Sequence, residues 1–296
     1  MSETIGIIGV GRMGLPVCAR LVGAGFPVVA TDALPERERD VRRAGADWVG
    51  AVERAASIAD VLITVLPESD ELMQAMADAL PALRPQTTWI DLTSAEPAAA
   101  RALVDRAHGR GIECLDAPVG GDSAAVAAGT LQLFVGGRKE IVEHHRNVLE
   151  ALGRIEHVGD NGAGYITKLI VNLLWFGQAV AVGEALLLAR RSGLDLDLLQ
   201  AVLGDSAAAS GFIRDGVSAL LEGDYIESFG VHHCCEELEA VVALADALGV
   251  PFELSATVKR AYEAALARYG PVDGELLAVA LLEERAGVRL QTRAAG

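Results

Sequence analysis

Ile5-Gly6-Ile7-Ile8-Gly9-Val10-Gly11-Arg12-Met13-Gly14 is the stretch on which the fold of this 296-residue chain turns. Ile5, Ile7 and Ile8 predict a short buried strand, and the apolar spacing over residues 15–22 predicts a helix directly after the glycines. Between strand and helix, Gly9, Gly11 and Gly14 keep the G-x-G-x-x-G spacing of a phosphate-holding turn. Gly9 permits the sharp exit from the strand, Gly11 lets the backbone approach a pyrophosphate, and Gly14 lets the helix lie close on the sheet. The helix N-terminus, with Arg12 and Met13 on its approach, presents free amides to phosphate. A second apolar run, Phe26-Pro-Val-Val-Ala-Thr31, predicts the next parallel strand and leads into Asp32, where a carboxylate can bind the hydroxyls of an adenosine ribose. That acid repels a 2′-phosphate, so NAD is the expected cofactor, while Arg37 and Arg39 keep NADP open.

Further along, Val61-Leu-Ile-Thr-Val-Leu66, Thr88-Trp-Ile-Asp-Leu92 and Leu131-Gln-Leu-Phe-Val135 read as strands, with a helical stretch over 70–83. Alternating strand and helix calls for an α/β Rossmann-like domain, its sheet mostly parallel and its crossovers right-handed. The alternation stops near Gly159. From Ala163 onward apolar residues recur at helical spacing through Leu173, Leu174, Ala181 and Leu188, and the segments 197–203, 231–248 and 254–267 read alike. Gly193 suits the stop of the first of these helices, and Gly249-Val-Pro251 marks a turn between two later ones. The expected organisation is a dinucleotide-binding domain over 1–161 and an all-α domain over 162–296, joined by a long helix.

Composition narrows the function classes. The chain is 51% hydrophobic and 22% charged, as an ordinary globular protein is, and 25 basic against 41 acidic residues leave a net charge of −16. Such a surface repels nucleic acid and anionic membrane, so neither is an expected partner. The N-terminus runs straight into the first strand without a signal-like core, and a cytoplasmic location is expected. The apolar segment 173–189 contains Gln178 and Glu184, is short for a bilayer, and reads as a buried helix. Cys18, Cys114, Cys234 and Cys235 lack C-x-x-C spacing and read as reduced thiols. In His232-His-Cys-Cys235 consecutive side chains diverge and no partner pair is suitably spaced, so no metal is expected there or elsewhere.

Two later segments combine with the glycine turn: Asp116-Ala-Pro-Val-Gly-Gly-Asp-Ser123 followed by Ala128-Gly-Thr-Leu131, and Gly159-Asp-Asn-Gly-Ala-Gly-Tyr-Ile-Thr-Lys-Leu-Ile-Val-Asn172. With G-x-G-x-M-G at the start, Leu66-Pro67 and Asp91-Leu-Thr-Ser94, they make the chain resemble the β-hydroxyacid dehydrogenase family over nearly its whole length. That family includes 3-hydroxyisobutyrate dehydrogenase, tartronate semialdehyde reductase and sulfolactaldehyde reductase. The resemblance implies a Rossmann-like domain, an interdomain helix carrying a catalytic lysine, a helical second domain and a homodimer or homotetramer assembled through it. It adds Leu66, Pro67 and Ser94 to the cofactor contacts.

The residues are compatible with that chemistry. Lys168 and Asn172 stand four apart on the expected helix, so they share a face and can meet one small-molecule substrate. Lys168 is the candidate general acid/base: it accepts the hydroxyl proton in oxidation and returns it in reduction, provided burial draws its pKa toward working pH. Backbone amides at Gly120 and Gly121, with Asp122 and Ser123 following, are candidates for holding a substrate group.

Departures from the family pattern concern the substrate. Family members commonly read P-V-S-G-G where this chain has Pro118-Val-Gly-Gly-Asp122, so a serine hydroxyl is missing at Gly120. Sulfolactaldehyde reductases carry arginine at the position of Gly121, which argues against a sulfonate. Val171 replaces the first asparagine of K-x-x-N-N, and Glu236-Glu237 stands where the family has Lys-Asp. Asp122 and Glu236 together would make the pocket acidic, which favours a neutral or amine-bearing substrate over a simple hydroxy acid. Two other readings stay open: an imine reductase of the same architecture, against which Lys168 and Asp32 both count, and a non-catalytic dinucleotide-binding protein.

Overall fold

The computed structural model describes residues 3–226 and 229–293. The chain divides into two compact units, Met1–Lys168 and Leu169–Gly296.

The first unit is built on a nine-stranded sheet, counted among the described residues. Its strands are β1 (Ile5–Ile8), β2 (Val28–Thr31), β3 (Asp47–Trp48), β4 (Val61–Thr64), β5 (Thr88–Asp91), β6 (Glu113–Asp116), β7 (Val119–Gly120), β8 (Leu131–Gly136) and β9 (Gly153–Gly159). The order is β3-β2-β1-β4-β5-β6-β8-β7, with β9 paired to β8. β1 lies parallel between β2 and β4, with Ile5 opposite both Val28 and Val61. Parallel pairing continues through β5 to β6, and β8 then runs antiparallel to both β6 and β7.

Helices cover both faces, so successive strand residues feed two different cores. Ile5, Ile7, Val61, Ile63 and Ile90 join one cluster, whereas Ile8, Leu62 and Trp89 join the other. This is why the strands read as continuous apolar runs. β6 and β9 escape the sequence reading for the complementary reason. Glu113-Cys-Leu-Asp116 has only two apolar residues, and β9 carries Arg154, Glu156 and His157 on an edge that pairs on one side only.

A 29-residue helix, Ala163–Arg191, leads from the first unit into the second and ends just before Gly193, whose φ of 78° suits a helix stop. The second unit continues with helices Leu196–Gly204, Gly211–Arg214, Gly216–Glu222, Val231–Ala247, Glu253–Tyr269 and Leu277–Ala286. The long helix supplies two separate clusters, one holding Ala179, Leu186 and Leu187, the other Leu169, Leu173 and Phe176.

The apolar segment 173–189 lies within this helix. By length and composition Ala163–Arg191 is sufficient to cross a membrane, a test that the core helix of a folded domain also passes, and 33% of its most apolar stretch is buried. Serving two cores leaves it apolar nearly all round, and Ile170, Val171, Leu174 and Leu188 remain exposed.

Candidate active site

The residues expected from the sequence to hold a dinucleotide gather where β1, β2, β4 and β5 end. Gly9 follows β1, Asp32 follows β2, Leu66 and Pro67 come shortly after β4, and Ser94 comes shortly after β5. The strand order reverses between β1 and β4, and in such sheets ligands bind outside the carboxyl ends of the strands at that reversal. Gly9 has φ of 91°, and a side chain there would overlap the carbonyl of Val65. At Gly14 a Cβ would overlap the Gly9 carbonyl, so helix and turn touch through bare backbone. A Cβ at Gly11 meets no protein atom within 4 Å, so that face of the turn is open to a ligand.

Helix Gly14–Gly23 starts at Met13 with no side-chain cap and no acidic residue in its first turn, leaving its amides to an anion. Arg12 beside them is exposed. The Asp32 carboxylate is held by two backbone amides, accepting from Val10 at 2.7 Å and Leu34 at 3.0 Å. Leu66 donates its N–H to the Thr93 hydroxyl at 3.2 Å, which fixes the turn after β4. The open face at Gly11 and the oriented acid fit a dinucleotide.

The start of the long helix is anchored by two buried acids that the sequence reading quotes in its motifs without assigning them a role. Asp116, ending β6, accepts N–H bonds from Gly162 and Gly164, both at 2.8 Å, and from Tyr165 at 3.3 Å. A carboxylate on the unpaired amides of a helix start satisfies them and complements the helix dipole. Gly164 must be glycine, because a Cβ would overlap the Phe134 carbonyl. Asp91, ending β5, accepts from the Tyr165 hydroxyl at 2.6 Å, the Thr64 hydroxyl at 2.6 Å and the Thr93 amide at 3.0 Å. Burial raises the Asp91 carboxyl to about 6 against the pull of these donors, and raises Asp116 as well. Both acids close apolar strands, Trp-Ile-Asp91 and Cys-Leu-Asp116, and that repeated pattern is the signal from which they were recoverable.

Lys168 lies three residues beyond Tyr165, partly buried, and its side chain has no hydrogen bond or ion pair among the described residues. Asn172 follows one turn later. Its side-chain amide donates to a carboxylate oxygen of Glu237, which is buried on helix Val231–Ala247. Glu236, the acid singled out from the sequence, is exposed and pairs with His233 at 3.2 Å. The buried acid beside Asn172 is therefore its neighbour Glu237.

Gly120 ends β7 and Gly121 has φ of 120°. Asp122 is exposed and caps helix Ser123–Ala128, accepting from the Ala125 N–H at 2.9 Å, while Ser123 is exposed in its first turn. A Cβ at Gly120 would meet Phe134 at an ordinary 3.6 Å, so the missing serine has room there.

Comparison with known proteins adds the following. Residues 4–165 match the family model for the NAD binding domain of 6-phosphogluconate dehydrogenase. Residues 162–282 match the one described as NAD-binding of NADP-dependent 3-hydroxyisobutyrate dehydrogenase. The chain is 29% identical to 2-(hydroxymethyl)glutarate dehydrogenase of Eubacterium barkeri over 88% of its own length and 89% of that protein. It is 33% identical to NAD-dependent L-serine dehydrogenase of Pseudomonas aeruginosa, over 70% and 71% of the two chains. The solved structure of Mycobacterium tuberculosis 3-hydroxyisobutyrate dehydrogenase with L-serine superposes with a TM-score of 0.88 at 28% identity, covering 95% of this chain and 99% of that one.

Proposed function

The chain belongs to the β-hydroxyacid dehydrogenase family of NAD(P)-dependent oxidoreductases acting on CH–OH, and from that premise we propose that it oxidises a small β-hydroxy acid bearing an amino group, with NAD as acceptor. Asp32 supports the choice of NAD, since its clamped carboxylate suits a ribose hydroxyl and repels a phosphate. The nicotinamide supplies the acceptor for the hydride. Lys168 takes the hydroxyl proton as the C–H hydride leaves, the C–O bond becomes a carbonyl, and Lys168 returns the proton in the reverse direction. The observation that carries this role is a helix start seated on Asp116 and locked by Tyr165 to Asp91, with Lys168 unpaired one turn on.

The amine is assigned to Asn172. Glu237 accepts from the NH2 of Asn172, which leaves the Asn172 carbonyl oxygen to accept from a substrate hydroxyl or ammonium. Reversed, the same amide would favour a carboxylate. Two relatives, one named for L-serine and one solved with it, support the same substrate class. The Gly120 and Gly121 amides and Ser123 remain candidates for holding a substrate group.

Parallel turnover of L-serine, phenylserine and 3-hydroxyisobutyrate with NAD and NADP tests this reading. The expected result is a kcat/KM at least about tenfold higher for the amino alcohols with NAD. Equal turnover of 3-hydroxyisobutyrate and serine sinks the amine assignment.

The exposed row Ile170, Val171, Leu174 and Leu188 supports a homodimer or homotetramer formed through the helical unit. Sedimentation of Leu174→Glu should then show a smaller species than the parent.

A further inference from the structure

A second set of chemistry-bearing side chains lies at the amino ends of the strands, before β1 and beside the start of β5. Glu3 precedes β1, and His144 and His145 join helices Lys139–His144 and Arg146–Leu152. Glu3 Oε1 lies 3.4 Å from His145 Nδ1 and 3.8 Å from His144 Nε2. One ligand atom from each residue falls within 4.8 Å of the other two. From these positions we propose that Glu3, His144 and His145 bind one divalent transition-metal ion of the Zn2+ type, a structural site separate from the dinucleotide residues.

The spacing suits such an ion. Ligand atoms held tetrahedrally at about 2.0–2.2 Å from Zn2+ stand roughly 3.3–3.6 Å from one another, and the two distances from Glu3, 3.4 and 3.8 Å, lie within a few tenths of an ångström of that range. The backbone explains why adjacent histidines converge here. His144 ends its helix and His145 leaves helical geometry with φ of −98° and ψ of 18°, so the rings meet edge to face at 4.6 Å. Within a continuous helix the two rings would point apart.

His145 is the strongest evidence. Its ring is buried, Nε2 pairs with the Thr88 hydroxyl at 2.8 Å, and Nδ1 has no hydrogen-bond partner among the described residues although it is buried and 3.4 Å from Glu3 Oε1. A buried ring nitrogen without a partner is costly, and a metal ion supplies one. A ligating histidine characteristically bonds its other nitrogen to a neighbouring polar group, the part Thr88 plays. His144 is 68% exposed, which leaves water to complete the coordination.

Titration of chelator-treated protein with Zn2+, and with Co2+ as a spectroscopic probe, tests the site. One equivalent should bind, Co2+ should show the intense visible bands of four-coordination without a thiolate charge-transfer band, and Zn2+ should raise the thermal midpoint. Glu3→Gln and His144→Ala alter partly or largely exposed side chains and should leave the circular dichroism spectrum unchanged while each weakens affinity at least about tenfold; Thr88→Val, removing the supporting hydroxyl, should weaken it roughly 10-fold to 100-fold. No uptake at micromolar metal, uptake indifferent to Glu3→Gln and His144→Ala, or a thiolate band that places the ion on Cys234 or Cys235, each overturns the proposal.

Discussion

The Tyr165 hydroxyl donates to the buried carboxylate of Asp91 at 2.6 Å and so ties the first turn of the long helix to the end of β5. Lys168 stands one turn beyond that tie, and its position depends on it. Tyr165→Phe keeps the ring and removes one bond to a buried acid. The expected cost is about 1–3 kcal/mol in urea unfolding. Displacing the lysine should lower kcat about tenfold or more while the Kd for NAD holds. Unchanged kcat in a folded variant would show that the tie serves stability alone.

Asp91 also governs a pH response. Its carboxyl is raised from 3.8 to about 6 by burial, so between those values the folded chain holds a proton that the unfolded chain has released. Its contribution to stability is therefore greatest below about 4 and is lost as pH rises through about 6. Asp91→Asn cannot ionise. The stability difference between parent and variant, followed by thermal unfolding from pH 4 to 8, should shift in the variant's favour as pH rises and level off above about 7. A difference that stays flat over this range would place the Asp91 titration elsewhere.

Lys168→Ala removes the proposed acid/base without touching the glycine turn. Turnover should fall by roughly 10²–10⁴ while NAD binding, followed by fluorescence titration, stays within about twofold. A protein that only binds dinucleotide would lose neither property.

Gly120→Ser restores the hydroxyl that the family commonly carries. The nearest atom to a Cβ there is 3.6 Å away, so the fold should accept it. One added hydrogen bond to a carboxylate should lower KM for 3-hydroxyisobutyrate by about threefold to tenfold. Gly121→Ala is the contrast, since φ of 120° and two contacts at 3.0 Å predict a loss of stability.

What was legible in the sequence follows from what a pattern can carry. Val61-Leu-Ile-Thr64 announces a strand buried on both faces, because such a strand has no solvent side to alternate with. Gly9, Gly14 and Asp32 were readable because backbone collisions and strand-end placement demand those residue types at that spacing. Glu113-Cys-Leu-Asp116 was not readable as a strand, since its last residue is a buried acid whose partners lie far along the chain at Gly162 and Gly164. Glu236 and Glu237 differ only in helical phase, and a sequence motif does not record which neighbour faces Asn172. His144 and His145 were passed over because their convergence depends on a helix break that composition does not mark.

The two amide bonds on Asp32 bear on redesign. Val10 and Leu34 fasten the carboxylate, so the ribose recognition proposed for it begins with no rotamer left to freeze. The same fastening couples cofactor choice to loop shape. An engineer who exchanges Asp32 for a small neutral residue to admit a phosphate also unties the glycine turn from the segment after β2. On the proposed choice of NAD, retargeting to NADP therefore calls for a replacement anchor for Val10 and Leu34 before it calls for a new arginine.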